Sequence, residues 1–303
     1  MTDGWLPRFA CPECRRRVRP AGDGFACDRC GRGYARDERG IFQFLSPHRA
    51  AAAGPFLQQY RAVRACHGYR SPVPEYYRML PCVAAADPRA DEWRVRRDSF
   101  AHLQRDVFGT NGHGSKRVLD LGAGSGWMSH RLAALGHMVV ALDRIDDEVD
   151  GLGACRHYPV MFTTVQADFD ALPFEPAQFD LAVFNGSLHY SPSPAATLAE
   201  AARMLTAGGV LVVMDSPMFS RERHGAAMLA DEQARIKDET GVDITRPGVG
   251  FFTFDALDRA TRSLGLQGRF VPSRGSLDWR VRRQLAWLRL RRAPSAFGVW
   301  IAR

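Results

Sequence analysis

From Arg117 onward, short apolar runs alternate with stretches whose apolar residues recur at helical spacing. KRVLDL, HMVVALD, FTTVQADF, FDLAVFN and VLVVMD read as buried-type strands. WMSHRLAALG and PAATLAEAARMLT read as the helices between them, with Gly208-Gly209 as a helix stop. A helix over 255–264 and strands near 267–272 and 297–302 complete the pattern, and 217–250 reads as an insertion of helix and loop. Strand–helix alternation of this kind predicts an α/β fold built on a doubly wound, mostly parallel seven-stranded sheet.

Upstream the pattern changes twice. Residues 48–108 are helical in character, with Trp93, Phe100, Leu103 and Val107 at roughly helical spacing, and the turn GTNGHGS closes the segment. Residues 1–45 form a Cys-, Gly- and Arg-rich unit that ends in a predicted strand, Ile41 to Leu45, before a Ser-Pro break. The chain divides accordingly into a small unit (1–46), a helical connecting segment or lid (47–110) and an α/β domain (111–303).

Composition adds boundaries. Of 303 residues, 46% are hydrophobic and 24% charged, which is ordinary for a globular chain. No apolar run approaches the roughly 20 residues that span a bilayer. The first residues show no apolar signal core, so the expected location is the cytoplasm. The net charge of +8 is weak evidence for a polyanionic partner. Only Lys116 and Lys237 are lysines, a skew to arginine expected from GC-rich coding.

The chemistry concentrates in VLDLGAGSGW, where a strand turns into a helix. Gly122, Gly124 and Gly126, with Ala123 between the first two, let the backbone turn tightly and approach a ligand. A dinucleotide fingerprint would place its third glycine at 127, which is Trp127. Asp120 precedes the loop. Asp143, followed by Arg144, ends the second strand, where a carboxylate can accept hydrogen bonds from two ribose hydroxyls. Asp168 and Phe169 follow the third strand, and Asn185 ends the fourth. All fall at the carboxyl ends of strands, where open α/β sheets bind ligands.

On these residues the chain, over about 115–215, resembles the class I S-adenosylmethionine methyltransferases, with their Rossmann-like fold. The resemblance implies S-adenosylmethionine as cofactor, leaving as S-adenosylhomocysteine. It assigns the methionine moiety to Asp120 and the glycine loop, the ribose to Asp143, and the adenine to Asp168 with Phe169.

Cys11-Pro-Glu-Cys14 and Cys27-Asp-Arg-Cys30 are two knuckles twelve residues apart, the spacing of a closed four-thiolate zinc site. Such a site leaves no position for water, so its metal is structural. Through GIFQFL the segment resembles the zinc ribbons related to the activator subunit of eukaryotic tRNA and protein methyltransferases. It is also similar to the ribbon of bacterial 23S rRNA guanine methyltransferases, whose fourth ligand is typically a histidine where this chain has Cys30. Cys66, Cys82 and Cys155 are scattered and read as inert thiols.

For the acceptor side, His189 and Tyr190 in FNGSLHYS follow the fourth strand, with His189 either a general base or a locally packed or capping residue. Asp215 and His224 are weaker candidates, and Tyr69, Tyr76 and Tyr77 belong to the connecting segment that often covers the cleft. Asn185 is not followed by the Pro-Pro-aromatic sequence of adenine-N6 and glutamine enzymes, and the SLHY stretch is similar to quinone-type small-molecule methyltransferases. The expected acceptor is therefore a small or lipid-like molecule. Residues 279–292 interleave six arginines with Trp and Leu. That helix reads either as packed on the domain with a solvated basic face, or as a contact for an anionic membrane surface or RNA. The two alternatives to a small acceptor are an RNA base and a non-catalytic partner-binding role.

Overall fold

A computed structural model describes residues 5–67, 71, 73–109, 114–290 and 292–303, without the side chains of 286 and 288–290. Tyr69, Arg291 and most of the GTNGHGS turn lie outside the described residues. The N-terminal unit holds β1 (Arg19–Ala21), β2 (Gly24–Ala26) and β3 (Gly33–Tyr34), an antiparallel sheet, and then β4 (Phe42–Gln43). Helices α1 (Pro47–Cys66), α2 (Pro74–Met79) and α3 (Ala90–Leu103) form the connecting segment. There follow β5 (Arg117–Leu121), α4 (Trp127–Ala134), β6 (Met138–Asp143), β7 (Thr163–Gln166), β8 (Phe179–Asn185), α5 (Pro194–Arg203) and β9 (Leu205–Met214). The chain ends with β10 (Met218–Phe219), α6 (Glu222–Thr240), β11 (Phe252–Thr253), α7 (Phe254–Arg262), β12 (Gly268–Pro272), α8 (Leu277–Leu290) and β13 (Gly298–Ala302).

The main sheet runs β12-β13-β9-β8-β5-β6-β7-β4. Every pairing from β9 to β4 is parallel, and β13 is antiparallel to both neighbours. The central strands are buried on both faces: Val118, Leu119, Leu121, Leu181 and Val183 are fully covered. That burial explains why these runs are continuously apolar.

Seven of the strands are those the pattern predicts; β4 is an eighth. Phe42 bridges Arg36 within the small N-terminal unit and also lies opposite Val165 on the outer edge of β7, where the Phe44 N–H donates to the Gln166 carbonyl at 2.8 Å. The added strand covers an edge that would otherwise present unpaired backbone groups. Phe9, Phe44 and Phe174 pack with ring centroids 4.9 and 5.5 Å from Phe9, so the N-terminal unit and the sheet share one core.

A second difference lies in β9. It begins at Leu205, and Gly208-Gly209 sits inside it instead of stopping a helix. The Met204 carbonyl accepts from the Gln178 and Phe179 N–H groups at 2.9 and 3.0 Å, which draws the end of α5 onto the start of β8. The ladder slips in register between Phe179 and Leu181 as a result.

Candidate functional site

The glycine loop joins β5 to α4 at the carboxyl edge of the sheet. Gly122 has φ +76° and stands so close to Ser187 that a Cβ would lie 2.4 Å from the Ser187 Cβ. Gly126, φ +75°, is packed the same way against Cys155 and Phe162. These two glycines are required by the protein's own packing. Gly124, φ +55°, meets only the Asp150 carbonyl at 3.6 Å, so it is the one open to close approach by a ligand.

Asp143 anchors the loop. Its Oδ2 accepts from the Gly124 N–H at 2.7 Å and its Oδ1 from the Ile145 N–H at 2.8 Å. Each oxygen keeps a further lone pair for a ligand hydroxyl. Burial raises its carboxyl above the usual range, with the two N–H groups working against the rise.

A cavity of about 1100 Å³, counting its open mouth, spreads over this edge. Gly122, Ala123, Gly124, Asp143, Arg144, Phe169, Asn185 and Tyr190 line it, so most of the sequence-predicted residues converge. Of the residues expected to hold the cofactor, three do not line it. Gly126 lies below the loop. Asp120 is buried behind it, its Oδ2 accepting from the Ser129 hydroxyl at 2.7 Å and its Oδ1 without a hydrogen-bond partner among the described residues. Burial pushes its carboxyl up to about 7. Asp168 turns away to Arg144 at 2.8 Å and Arg49 at 3.1 Å. Burial would raise its carboxyl, but the two arginines hold it below the usual carboxylate range. The carboxylate expected to meet an adenine amino group is thus engaged by two arginines. Phe169 is in position, with the Arg144 guanidinium 5.7 Å from its ring centre.

The wall opposite the sheet comes from the connecting segment, which sequence reasoning assigned as a cover without naming its main contacts. Phe56, Tyr60 and Arg64 of α1, spaced at four residues, face the cavity with Trp93 and Arg96 of α3. Phe56 and Tyr60 contact Tyr190, with ring centres 5.8 and 5.7 Å apart. The i, i+4 aromatic spacing on α1 was the available signal. Tyr76 and Tyr77 also line the cavity, and Tyr77 donates to the Ser71 and Val149 carbonyls at 2.7 and 2.8 Å.

A second cavity adjoins the first, sharing Tyr60, Arg64, Arg96, Gly186 and Tyr190 with it. His189 lies here. Its Nδ1 is 3.1 Å from the Ser216 hydroxyl, and burial, with Arg246 and Arg96 nearby, depresses the imidazole to about 3, so it is neutral at physiological pH. Burial drives the Tyr190 phenol well above its usual value. Asp215, at the end of β9, also lines this cavity, in a left-handed backbone with φ 54°. His224 lies elsewhere, its Nδ1 accepting from the Ala293 N–H at 3.3 Å.

The cysteine knuckles converge as their spacing predicts. The sulfurs of Cys11, Cys14, Cys27 and Cys30 all lie within 4.8 Å of one another, with Cys11–Cys30 at 3.6 Å and Cys14–Cys27 at 3.5 Å. A tetrahedral zinc with Zn–S of about 2.3 Å needs sulfurs about 3.8 Å apart, which this set fits. Each knuckle closes with a left-handed residue after its second cysteine, Arg15 (φ 61°) and Gly31 (φ 69°). The Cys30 backbone N–H holds the Cys27 thiol down to about 7. Tyr34 Oη lies 2.9 Å from the Cys11 sulfur.

Among the described residues, three of the arginines in 279–292 are engaged within the chain. Arg283 packs its guanidinium 4.2 Å from the Trp279 ring centre, Arg282 pairs with Asp91, and Arg292 pairs with Asp231 at 2.7 Å. Leu277, Val281, Leu285 and Trp287 are exposed. No helix among the described residues is long and apolar enough to cross a membrane.

Residues 119–213 match the family model described as a methyltransferase domain. Over this stretch the chain is similar to methyltransferase domains. The chain is 32% identical over 159 residues to the malonyl-[acyl-carrier protein] O-methyltransferase of Enterobacter lignolyticus, covering 51% of this chain and 55% of that one. It is 35% identical over 99 residues to the ubiquinone biosynthesis O-methyltransferase of Xylella fastidiosa, covering 32% and 40%. It thus spans about half the length of the curated relatives it matches, or less. A solved structure of Burkholderia thailandensis 1,6-didemethyltoxoflavin-N1-methyltransferase, with bound 1,6-didemethyltoxoflavin and S-adenosylhomocysteine, gives a TM-score of 0.47 at 18% identity, covering 93% of this chain and 98% of that one.

Proposed function

We propose that the protein transfers a methyl group from S-adenosylmethionine to an oxygen or nitrogen of a small-molecule or lipid-like acceptor. In this reading residues 1–46 are a zinc ribbon, 47–110 a cover over the cleft, and 111–303 the methyltransferase domain. The observation that carries it is the cavity at the carboxyl ends of β5, β6 and β8, where the glycine loop, Asp143, Phe169 and Asn185 face an aromatic wall. The names of the two relatives given above, each an O-methyltransferase, support oxygen as the atom methylated.

When bound, S-adenosylmethionine supplies a methyl carbon activated by its sulfonium. The chain's own residues hold and orient. Asp143 offers its remaining lone pairs to the ribose hydroxyls, Phe169 a face to the adenine, and the Gly122–Ser125 backbone a seat for the methionine end. Asn185 and Gly186 lead from that seat to the second cavity, and Phe56, Tyr60 and Tyr190 exclude water between the two. Zinc, when bound by Cys11, Cys14, Cys27 and Cys30, cross-links the two knuckles as a structural ion. The internal engagement of Arg282, Arg283 and Arg292 weighs against RNA binding through α8.

Calorimetric titration with S-adenosylmethionine and S-adenosylhomocysteine tests the cofactor assignment. Both should bind the wild type, and Asp143→Ala should lose roughly 10²-fold or more, as expected for charge-assisted hydrogen bonds of about 1.5–3 kcal/mol each. Folded protein that binds neither ligand would end the enzyme reading and favour a partner-binding role.

A further inference from the structure

Asp215 is the buried acid that the cofactor cleft leaves unexplained. Its Oδ1 accepts from the Ser99 hydroxyl at 2.5 Å, and Ser99 is in turn 2.7 Å from the Ser273 hydroxyl. Its Oδ2 is buried without a hydrogen-bond partner among the described residues. The side chain lines the second cavity, which joins the cofactor cleft through Gly186 and Tyr190. Its backbone is held left-handed while its N–H donates to the Gly298 carbonyl at 3.0 Å, so the fold fixes the carboxyl where it is. A strained, buried and half-satisfied carboxylate in the wall of a cavity is a group kept for a ligand.

Resting on the methyltransferase reading above, we infer that the second cavity is the acceptor site and that Asp215 Oδ2 receives the hydrogen of the acceptor's own hydroxyl or amine. An ionised carboxylate only accepts hydrogen bonds, so the partner it lacks must be a donor. A carboxylate acceptor would set two like charges together. The aromatic junction of Phe56, Tyr60 and Tyr190 suits a flat, apolar body behind that donor. In transfer from a hydroxyl, the oxygen lone pair forms the new bond to the methyl carbon. The methyl–sulfur bond breaks with its electron pair left on sulfur, and the hydroxyl proton passes to Asp215 and then to water.

The surrounding charged and titratable groups are Arg64 of α1 and His67 just after it, Glu92, Arg96 and Asp98 on α3, His189 after β8, Glu232 on α6 and Arg246 beyond it. Burial pushes the carboxyl up to about 6, partly offset by Ser99, which leaves it ionised yet basic at neutral pH. Ser99 is thus a positioning residue.

The test uses the full chain and four matched aromatic probes: catechol, benzyl alcohol, benzylamine and benzoate. Asp215→Asn is the main variant, because asparagine tolerates the left-handed backbone and can still accept from Ser99. Calorimetry should show catechol binding to the wild type and weakened in the variant, with S-adenosylmethionine affinity unchanged in both. S-adenosylhomocysteine formation should appear with the hydroxyl and amine probes and not with benzoate. Asp215→Asn should lower kcat/KM by roughly 10²–10⁴-fold, the range of a lost general base. Ser99→Ala should move the acid limb of the pH–rate profile upward, which a merely structural serine would not do. Turnover confined to benzoate, wild-type kcat/KM in Asp215→Asn, or no turnover of any donor by protein that binds S-adenosylmethionine would overturn the inference while the cofactor reading stands. Folded protein without S-adenosylmethionine binding would remove both.

Discussion

Replacing Gly122 by alanine should separate two costs that a glycine-rich turn usually hides. The first is conformational. At φ +76° an alanine pays for the left-handed region, about 1–2 kcal/mol. The second is steric, because the new Cβ would lie 2.4 Å from the Ser187 Cβ and 2.9 Å from its Oγ. Ser187 cannot simply swing aside: it is buried and its hydroxyl donates to the Leu121 carbonyl. Displacing it forfeits that hydrogen bond, about 1 kcal/mol, and overpacks the site by about 1–3 kcal/mol. The expected loss is about 3–6 kcal/mol. Gly136 supplies the control, with φ +87° and nothing within 4 Å of a built Cβ, so Gly136→Ala should cost only about 1–2 kcal/mol. Urea unfolding of the two variants beside wild type measures both, and adding Ser187→Gly to Gly122→Ala should recover the steric part. Equal destabilisation of Gly122→Ala and Gly136→Ala would refute the close-packing argument and return Gly122 to the ligand.

Two further outcomes follow from buried ionisable groups. The Asp120 carboxyl sits at about 7 in the fold against 3.8 unfolded, so between those values the native state holds a proton the unfolded chain has released. Its contribution to stability is complete below about 3.8 and falls as pH rises to about 7. Asp120→Asn should therefore gain stability over wild type across that window, measured by urea unfolding at several pH values; a pH-independent difference would contradict the burial argument. At the four-cysteine cluster, protein purified with zinc should carry about one ion per chain by elemental analysis, and chelation should lower its melting temperature. Cys27→Ser should carry none and ignore the chelator; a wild type without zinc, or indifferent to its removal, would leave the cluster as four thiols.

The parts legible in the sequence are those set by local pattern. β5, the glycine turn, α4 and β6 follow from periodicity and from residues whose conformational needs are intrinsic. Asp143 lines the cleft because its place at a strand end fixes where its carboxylate points. Asp168 has the same kind of place, yet its direction depends on Arg49, 119 residues away in sequence. Nothing near Asp168 announces that partner. Phe42-Gln43 likewise looks the same as a hairpin end or as an edge strand, and only the free edge of β7 decides between them. His189 is where its motif places it, but its neutrality is imposed by burial and by Arg246 from beyond α6.

The arginine skew that made the net charge hard to interpret has a structural use. Arg39, Arg49, Arg61 and Arg64 lie in the N-terminal unit and α1. They pair with Asp146 at 2.7 Å, Asp168 at 3.1 Å, Asp147 at 3.1 Å and Asp150 at 2.9 Å, all in the segments that follow β6 and β7. Arg39 and Arg61 pair with partly exposed acids, so each contributes at most about 1 kcal/mol. Asp150 is buried, and removing Arg64 would break that buried pair at a cost of about 3–5 kcal/mol, whereas Asp168 keeps Arg144 at 2.8 Å when Arg49 is removed. The row therefore fixes the register of α1 over the sheet more than it adds net stability. That register is what brings Phe56 and Tyr60 against Tyr190, so the cleft takes its shape from residues upstream of the domain that carries its glycine loop.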